Sequence, residues 1–137
     1  MRYLLLGFIS LLALATGCKK TDTTPQDLAK PVVGLYRMAE VTLAGSQTAI
    51  TVTNGSTLMV RDGESLSAIL FTLTYATVGT SGSSTFSETK QITLQPSGNA
   101  IALLSGSTQV GSWFNNTLTM KAYPFNNSTV SFTATKQ

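Results

Sequence analysis

The residue types that could do chemistry in this chain are few: one cysteine, Cys18, no histidine, and six carboxylates. Without histidine, Ser-His-Asp and Cys-His catalysis are excluded, and so are ordinary zinc sites, which need His or several Cys. Ser87-Glu88-Thr89-Lys90 has the Ser-x-x-Lys spacing in which a lysine activates a serine from one helical turn away. Its flanks, Thr85-Phe86 and Gln91-Ile92-Thr93-Leu94, read as strand, where an i, i+3 spacing sends the two side chains to opposite faces. Glycoside cleavage needs two acids roughly 5–9 Å apart across a cleft. Of the candidates, Asp62 and Glu64 flank Gly63 in an expected turn, Glu40 stands alone, and Glu88 shares a face with Lys90 as a surface ion pair. No Asp-rich loop suggests calcium. The sequence therefore predicts no catalytic residue, no metal site and no cofactor, and the chain reads as something other than an enzyme.

Chemistry of another kind is written at the start. Arg2 supplies a basic opening and Leu4 to Ala15 an apolar run of about a dozen residues, the length of an export signal and short of the ~20 residues that span a bilayer. A cleaved helical signal peptide over 1–17 is expected. Ala15-Thr16-Gly17-Cys18 resembles the lipobox of bacterial lipoproteins: small residues where a signal peptidase must fit the backbone, then the only cysteine. That resemblance implies a diacylglyceryl thioether and an N-acyl chain on Cys18, and two or more chains hold a protein on a membrane durably. The alternative is ordinary secretion, since Ala13-Leu14-Ala15 is itself an Ala-x-Ala site. Residues 18–30 open on the polar Lys19-Lys20-Thr21-Asp22-Thr23-Thr24-Pro25-Gln26-Asp27 and read as a lipidated flexible tether. The Cys-Lys-Lys start resembles lipoproteins of Gram-negative lineages, and neither lysine resembles the Asp that implies inner-membrane retention. The outer membrane is the expected location, on either its periplasmic or its cell-surface face.

What remains, residues 31–137, is enough for one domain. Over the full 137 residues, nine basic and six acidic residues give a formal charge of +3, and the scattered lysines and arginines form no stripe of the kind that binds nucleic acid. With no second cysteine, the core must be stabilised by packing. Thr suits a half-buried pleated surface while Ser, Gly and Asn supply turns, so the composition predicts strand throughout and no internal helix.

Two-residue alternation appears between short turn signals. Val33, Leu35, Ala39, Val41 and Leu43 are expected on one side of a first strand. Asn54-Gly55, between Ile50/Val52 and Leu58/Val60, is expected to be a hairpin turn. Leu66–Val78 reads as a long central strand, residues 79–85 as a flexible loop, and Phe86–Gln95 as the next strand. Shorter strands follow over Ala100–Leu104, Thr108–Phe114, Thr117–Tyr123 and Ser128–Thr135. About eight or nine strands joined in sequence order predict an all-β antiparallel meander, closed as a barrel or folded as a β-sandwich.

The domain resembles the small lipocalin-like domains of bacterial lipoproteins. Gly34-Leu35-Tyr36 stands where that group has Gly-x-Trp opening the first strand, Arg37 and the alternating Met38-Ala39-Glu40-Val41 follow, and Asn116-Thr117-Leu118-Thr119-Met120 and Thr129-Val130-Ser131-Phe132 resemble its ending. The resemblance implies a lipocalin-like barrel and a small apolar or amphipathic ligand. Among the strand aromatics, Tyr36, Tyr75 and Trp113 are the candidate ligand contacts, Trp113 because Gly111 and Ser112 leave its ring a free face. The alternative function is a structural or accessory surface protein that meets a protein or glycan of the envelope.

Overall fold

The computed structural model describes residues 24–43, 50–79 and 82–137. The apolar leader, Cys18 and the tether as far as residue 23 lie outside the described residues.

Among the described residues one short helix, α1 (Ala29–Val32), precedes ten strands: β1 (Gly34–Arg37), β2 (Glu40–Leu43), β3 (Ile50–Thr51), β4 (Thr53–Arg61), β5 (Ala68–Gly79), β6 (Gly82–Ser97), β7 (Ala100–Ser105), β8 (Thr108–Phe114), β9 (Thr117–Phe125) and β10 (Ser128–Lys136). The strands form an antiparallel meander in which eight, β1 and β4 to β10, close a barrel. Closure comes from β1 on β10, with Tyr36 opposite Lys136 and Arg37 opposite Thr135. Beyond a break at Met38-Ala39, β2 leaves β1's line to pair with the other half of β10 and with β3. The fold is thus the barrel, not the sandwich.

Turn chemistry sets the register. Asn115-Asn116 and Asn126-Asn127 hold φ of +48, +62 and +46, +61 degrees, the paired left-handed conformation of a tight hairpin turn, which asparagine tolerates better than most residues. Along β5 the period of two is clean. Ile69, Phe71, Leu73 and Tyr75 turn inward and are buried, while Leu70, Thr72 and Thr74 turn outward. Facing residues complete an apolar interior: Met59 from β4, Ile92 and Leu94 from β6, Leu103 from β7, Leu118 and Met120 from β9, and Phe132 from β10. An eight-stranded barrel is just wide enough for such side chains to fill it.

Four local expectations are corrected. Asn54-Gly55 is no hairpin turn; it is a bulge inside β4, where the register against β5 slips between Thr53 and Ser56. The same backbone freedom serves either feature: Asn54 takes φ +56 degrees, and a Cβ on Gly55 would lie 2.5 Å from Val52 and 2.8 Å from Met38, so only glycine lets Met38 and Val52 pack this closely against the bulge. The first strand inverts its expected face. Tyr36 and Met38 point inward and Leu35 is 43% exposed, because the break at Met38-Ala39 shifts the parity before Val41 turns in again. Residues 79 and 82–85 are strand, paired in register from Ala76 opposite Thr85 to Gly79 opposite Gly82. Finally, α1 is a helix where none was expected, a single turn that owes its place to burial of Ala29 and Val32 against the barrel.

Candidate functional site

The two ends of the barrel differ. At the closed end the chain entering from residue 24 folds across the opening: Leu28, Ala29 and Val32 are buried, and the amides of Leu28 and Ala29 both donate to the carbonyl of Leu66 at 2.9 and 3.0 Å. Leu28 and Ala29 belong to the stretch that reads in sequence as tether. Polar ties hold this plug. The Arg61 guanidinium lies 2.7 Å from the Asp27 carboxylate, the Lys136 ammonium donates to the Pro31 carbonyl at 2.8 Å, and the Tyr36 hydroxyl donates to the Val32 carbonyl at 2.6 Å. The hydrogen bond from Arg61 is the main cause that holds the Asp27 carboxyl below its ordinary range.

Two of the three aromatics expected to touch ligand lie at this plugged end. Tyr36 has no exposed surface, and burial pushes its hydroxyl up to about 12, slightly opposed by the nearby Trp113 indole. Trp113 is half-buried against the core, and its ring N–H is buried without a partner of hydrogen-bonding geometry. The room expected beside it is occupied: a Cβ on Gly111 would fall 2.5 Å from the Met120 sulfur. Both residues serve the closed end's packing and stand apart from the cavity described next.

At the opposite end the barrel opens into a cavity of about 400 Å³. Tyr75, the third candidate, lines it. Its ring lies 5.2 Å from Phe86 across the β5–β6 pair and 5.4 Å from Phe125, tilted contacts within the favourable range for aromatic pairs. Val41, Leu43, Ile50 and Val130 supply an aliphatic portion of the wall, and Thr77, Asn126 and Ser128 are its polar members. The aliphatic group is continuous by register, with Val41 opposite Ile50 and Leu43 opposite Val130. Burial raises the Tyr75 hydroxyl above its ordinary value. Phe86 and Phe125 become neighbours of Tyr75 only through the extended β5–β6 register and the Asn126-Asn127 turn, which composition and periodicity did not resolve.

Between the two ends the wall has a seam. β7 covers β6 only from Thr93 to Ser97, and β8 covers β9 only from Thr117 to Met120, so the mouthward parts of β6 and β9 meet without an intervening ladder. Side chains bridge them. Lys90 donates to the Pro124 carbonyl at 2.7 Å, and the Asn126 amide donates to Glu88 at 3.1 Å. Lys90 and Glu88 also pair at 2.9 Å. The expected surface ion pair is therefore half-buried and joins two strands. Pro124 is tolerated in β9 because its missing N–H falls where no strand follows. Burial raises the Glu88 carboxyl, but the hydrogen bonds from Lys90 and Asn126 outweigh it and leave the group below its ordinary value. Lys90 also sits 5.6 Å over the Tyr123 ring.

The groups considered for catalysis do not converge. Ser87 shares a 2.9 Å hydroxyl bond with Thr74 on the outer face, whereas Lys90 turns inward to Pro124. Among the described residues no cluster of three His, Cys, Asp or Glu could hold a metal ion. In comparisons with known proteins, no family model, no curated protein and no solved structure matches the chain.

Proposed function

We propose that this protein is a lipid-anchored binding module, held at the outer membrane by acylated Cys18, which takes a small apolar or amphipathic molecule into the open end of its barrel. The observation that carries this reading is the cavity of about 400 Å³ lined by Tyr75, Phe86 and Phe125. Its size lies within the range of small-molecule sites, and its mainly apolar wall with a few polar groups is their usual composition. The site residue shared with the sequence reading is Tyr75. Intact-mass and N-terminal mass spectrometry of protein from envelope membranes tests the anchor: the expected product begins at an acylated Cys18, and cleavage after Ala15 with an unmodified thiol would refute it. Ligand extraction tests the cavity. Protein purified from native membranes should release a small molecule that an Ile50→Trp variant, with the cavity filled, no longer carries.

A second reading, an accessory protein that meets an envelope partner, is favoured by one observation. Leu35 faces Leu58 and Val60 faces Leu70 across the outer surface of β1, β4 and β5, and all four are between 37% and 45% exposed.

A further inference from the structure

The distribution of charge narrows the ligand's chemistry. We infer that the cavity takes an uncharged, ring-containing apolar molecule with a hydroxyl, carbonyl or amide at one end, and that it rejects the anion built on the same skeleton. This rests on the cavity being a binding site, as proposed above.

The first observation is that, among the described residues, the cavity wall carries no charged side chain. Lys90 and Glu88, beside the mouth, are paired at 2.9 Å, and each also holds a backbone group, Lys90 the Pro124 carbonyl in β9 and Glu88 the Asn126 amide in the β9–β10 turn. Neither is available as a counter-ion. The described turn at this end, Asn126-Asn127, is equally bare. By contrast Asp27, Lys30, Arg61, Asp62, Glu64 and Lys136 belong to the plugged end or the strand ends beside it, and Arg37, Glu40 and Lys121 are exposed and stand outside the cavity wall. A carboxylate or sulfonate entering the mouth would lose water and find no cation, and burying an unpaired charge is far costlier than burying a neutral polar group.

The second observation concerns what the wall offers instead. Thr77, Asn126 and Ser128 provide hydroxyl and amide groups that can both donate and accept, suited to one neutral polar terminus. The Tyr75–Phe86–Phe125 cluster presents ring faces and edges, with which a flat ring gains offset or edge contacts beyond simple burial. A rigid ring system also loses less rotational freedom on entry than an acyl chain of equal area. Charge and shape thus point the same way.

N-phenylnaphthylamine and anilinonaphthalene sulfonate test this directly, because they share one aromatic skeleton and differ by the sulfonate. Fluorescence titration of the folded protein should show saturable binding of the neutral amine and at least about tenfold weaker binding of the sulfonate. Tyr75→Leu and Phe125→Leu, which keep the interior apolar and remove one ring each, should weaken the amine several-fold, with circular dichroism confirming the fold. Ser128→Lys places a cation at the rim and should raise the affinity for the sulfonate relative to that for the amine. Equal or tighter binding of the sulfonate by the unaltered protein would overturn neutrality and leave the binding reading standing. Saturable binding that Tyr75→Leu and Phe125→Leu leave unchanged would overturn the ring preference alone. Failure of both compounds, and of tetradecanol as a neutral chain, would overturn the binding reading together with this inference.

Discussion

The plugged end and the mouth of this barrel use the same residue types for opposite purposes. Tyr36 and Tyr75 both point inward and both are at most 4% exposed. Tyr36 finds a carbonyl for its hydroxyl, a helix turn above it and an indole beside it, whereas Tyr75 finds two rings and the edge of a cavity. The plugged end gathers ionic groups and ties them to backbone; among the described residues the cavity wall at the mouth carries none. A position's value for binding is thus set by what closes over it, and aromatic character alone does not distinguish the two sites.

The largest effect should come from exchanging one tyrosine at a time for alanine. Tyr36→Ala removes a fully enclosed ring and its hydrogen bond to α1, and should cost about 3–5 kcal/mol, as large aromatic truncations in sealed cores do. Tyr75→Ala opens into space that is already partly open, so it should cost clearly less and instead abolish ligand uptake. Urea unfolding paired with ligand titration separates the two outcomes. Equal destabilisation by both would mean that the mouth is as much a structural core as the plug.

Alkali should act next, through the same pair of environments. Burial raises the pKa of Tyr36 to about 12 from an ordinary 10, so its neutral form is favoured by folding. The sign follows: that stability is fully present below pH 10 and is lost as pH rises through about 12, by up to roughly 2 kcal/mol. Tyr75 and Tyr123 shift in the same direction through burial. Ultraviolet titration of the mature protein should therefore show no tyrosine ionising at the ordinary value until the fold is lost, and Tyr36→Phe should flatten the alkaline fall in stability. A tyrosine titrating normally in the folded protein would place solvent at one of these rings.

Much of this architecture was legible beforehand. Alternation and turn residues pointed to the meander because a strand with one wet face writes its period directly into sequence, as Ile69, Phe71, Leu73 and Tyr75 do. The bulge at Asn54-Gly55 was not legible as such, since asparagine and glycine supply the same left-handed geometry to a bulge and to a hairpin turn. Nor was the inward turn of Tyr36, because a break at Met38-Ala39 reverses the face of everything before it. For the site, Tyr75 could be singled out as an aromatic on a strand. Its partners Phe86 and Phe125 depend on pairings between distant segments, and the uncharged lining of the cavity depends on knowing which strands meet there.

The seam between the two ends offers a smaller perturbation. Lys90→Met keeps the stem that lies on Tyr123 and removes the ammonium that holds the Pro124 carbonyl, and it should cost about 1 kcal/mol. Hydrogen exchange should quicken at the Asn126-Asn127 turn and remain unchanged at Leu28 and Ala29. Acid acts on the same clasp. The Glu88 carboxyl titrates below its ordinary 4.5, so its contribution is present above that pH and is lost as pH falls through its lowered value. Protection lost equally at both ends would make the barrel one cooperative unit with no weaker half.

The least stability is expected to reside in the outer apolar stripe, which nevertheless divides the two functional readings. Leu58 and Val60 point outward from β4, side by side with Leu35 and Leu70 on neighbouring strands. Replacing both with threonine keeps a strand-favouring residue at each position and removes apolar surface that water already reaches, so stability should change by no more than about 0.5 kcal/mol per site. Uptake of a neutral aromatic at the mouth should be untouched, since neither residue lines the cavity. If the stripe serves an envelope partner, Leu58→Thr with Val60→Thr would reduce the material crosslinked to the anchored protein in intact membranes while ligand uptake persists. Loss of uptake without loss of crosslinking would instead couple the outer wall of β4 to the mouth, through the bulge at Gly55 that links this wall to Met38 and Val52.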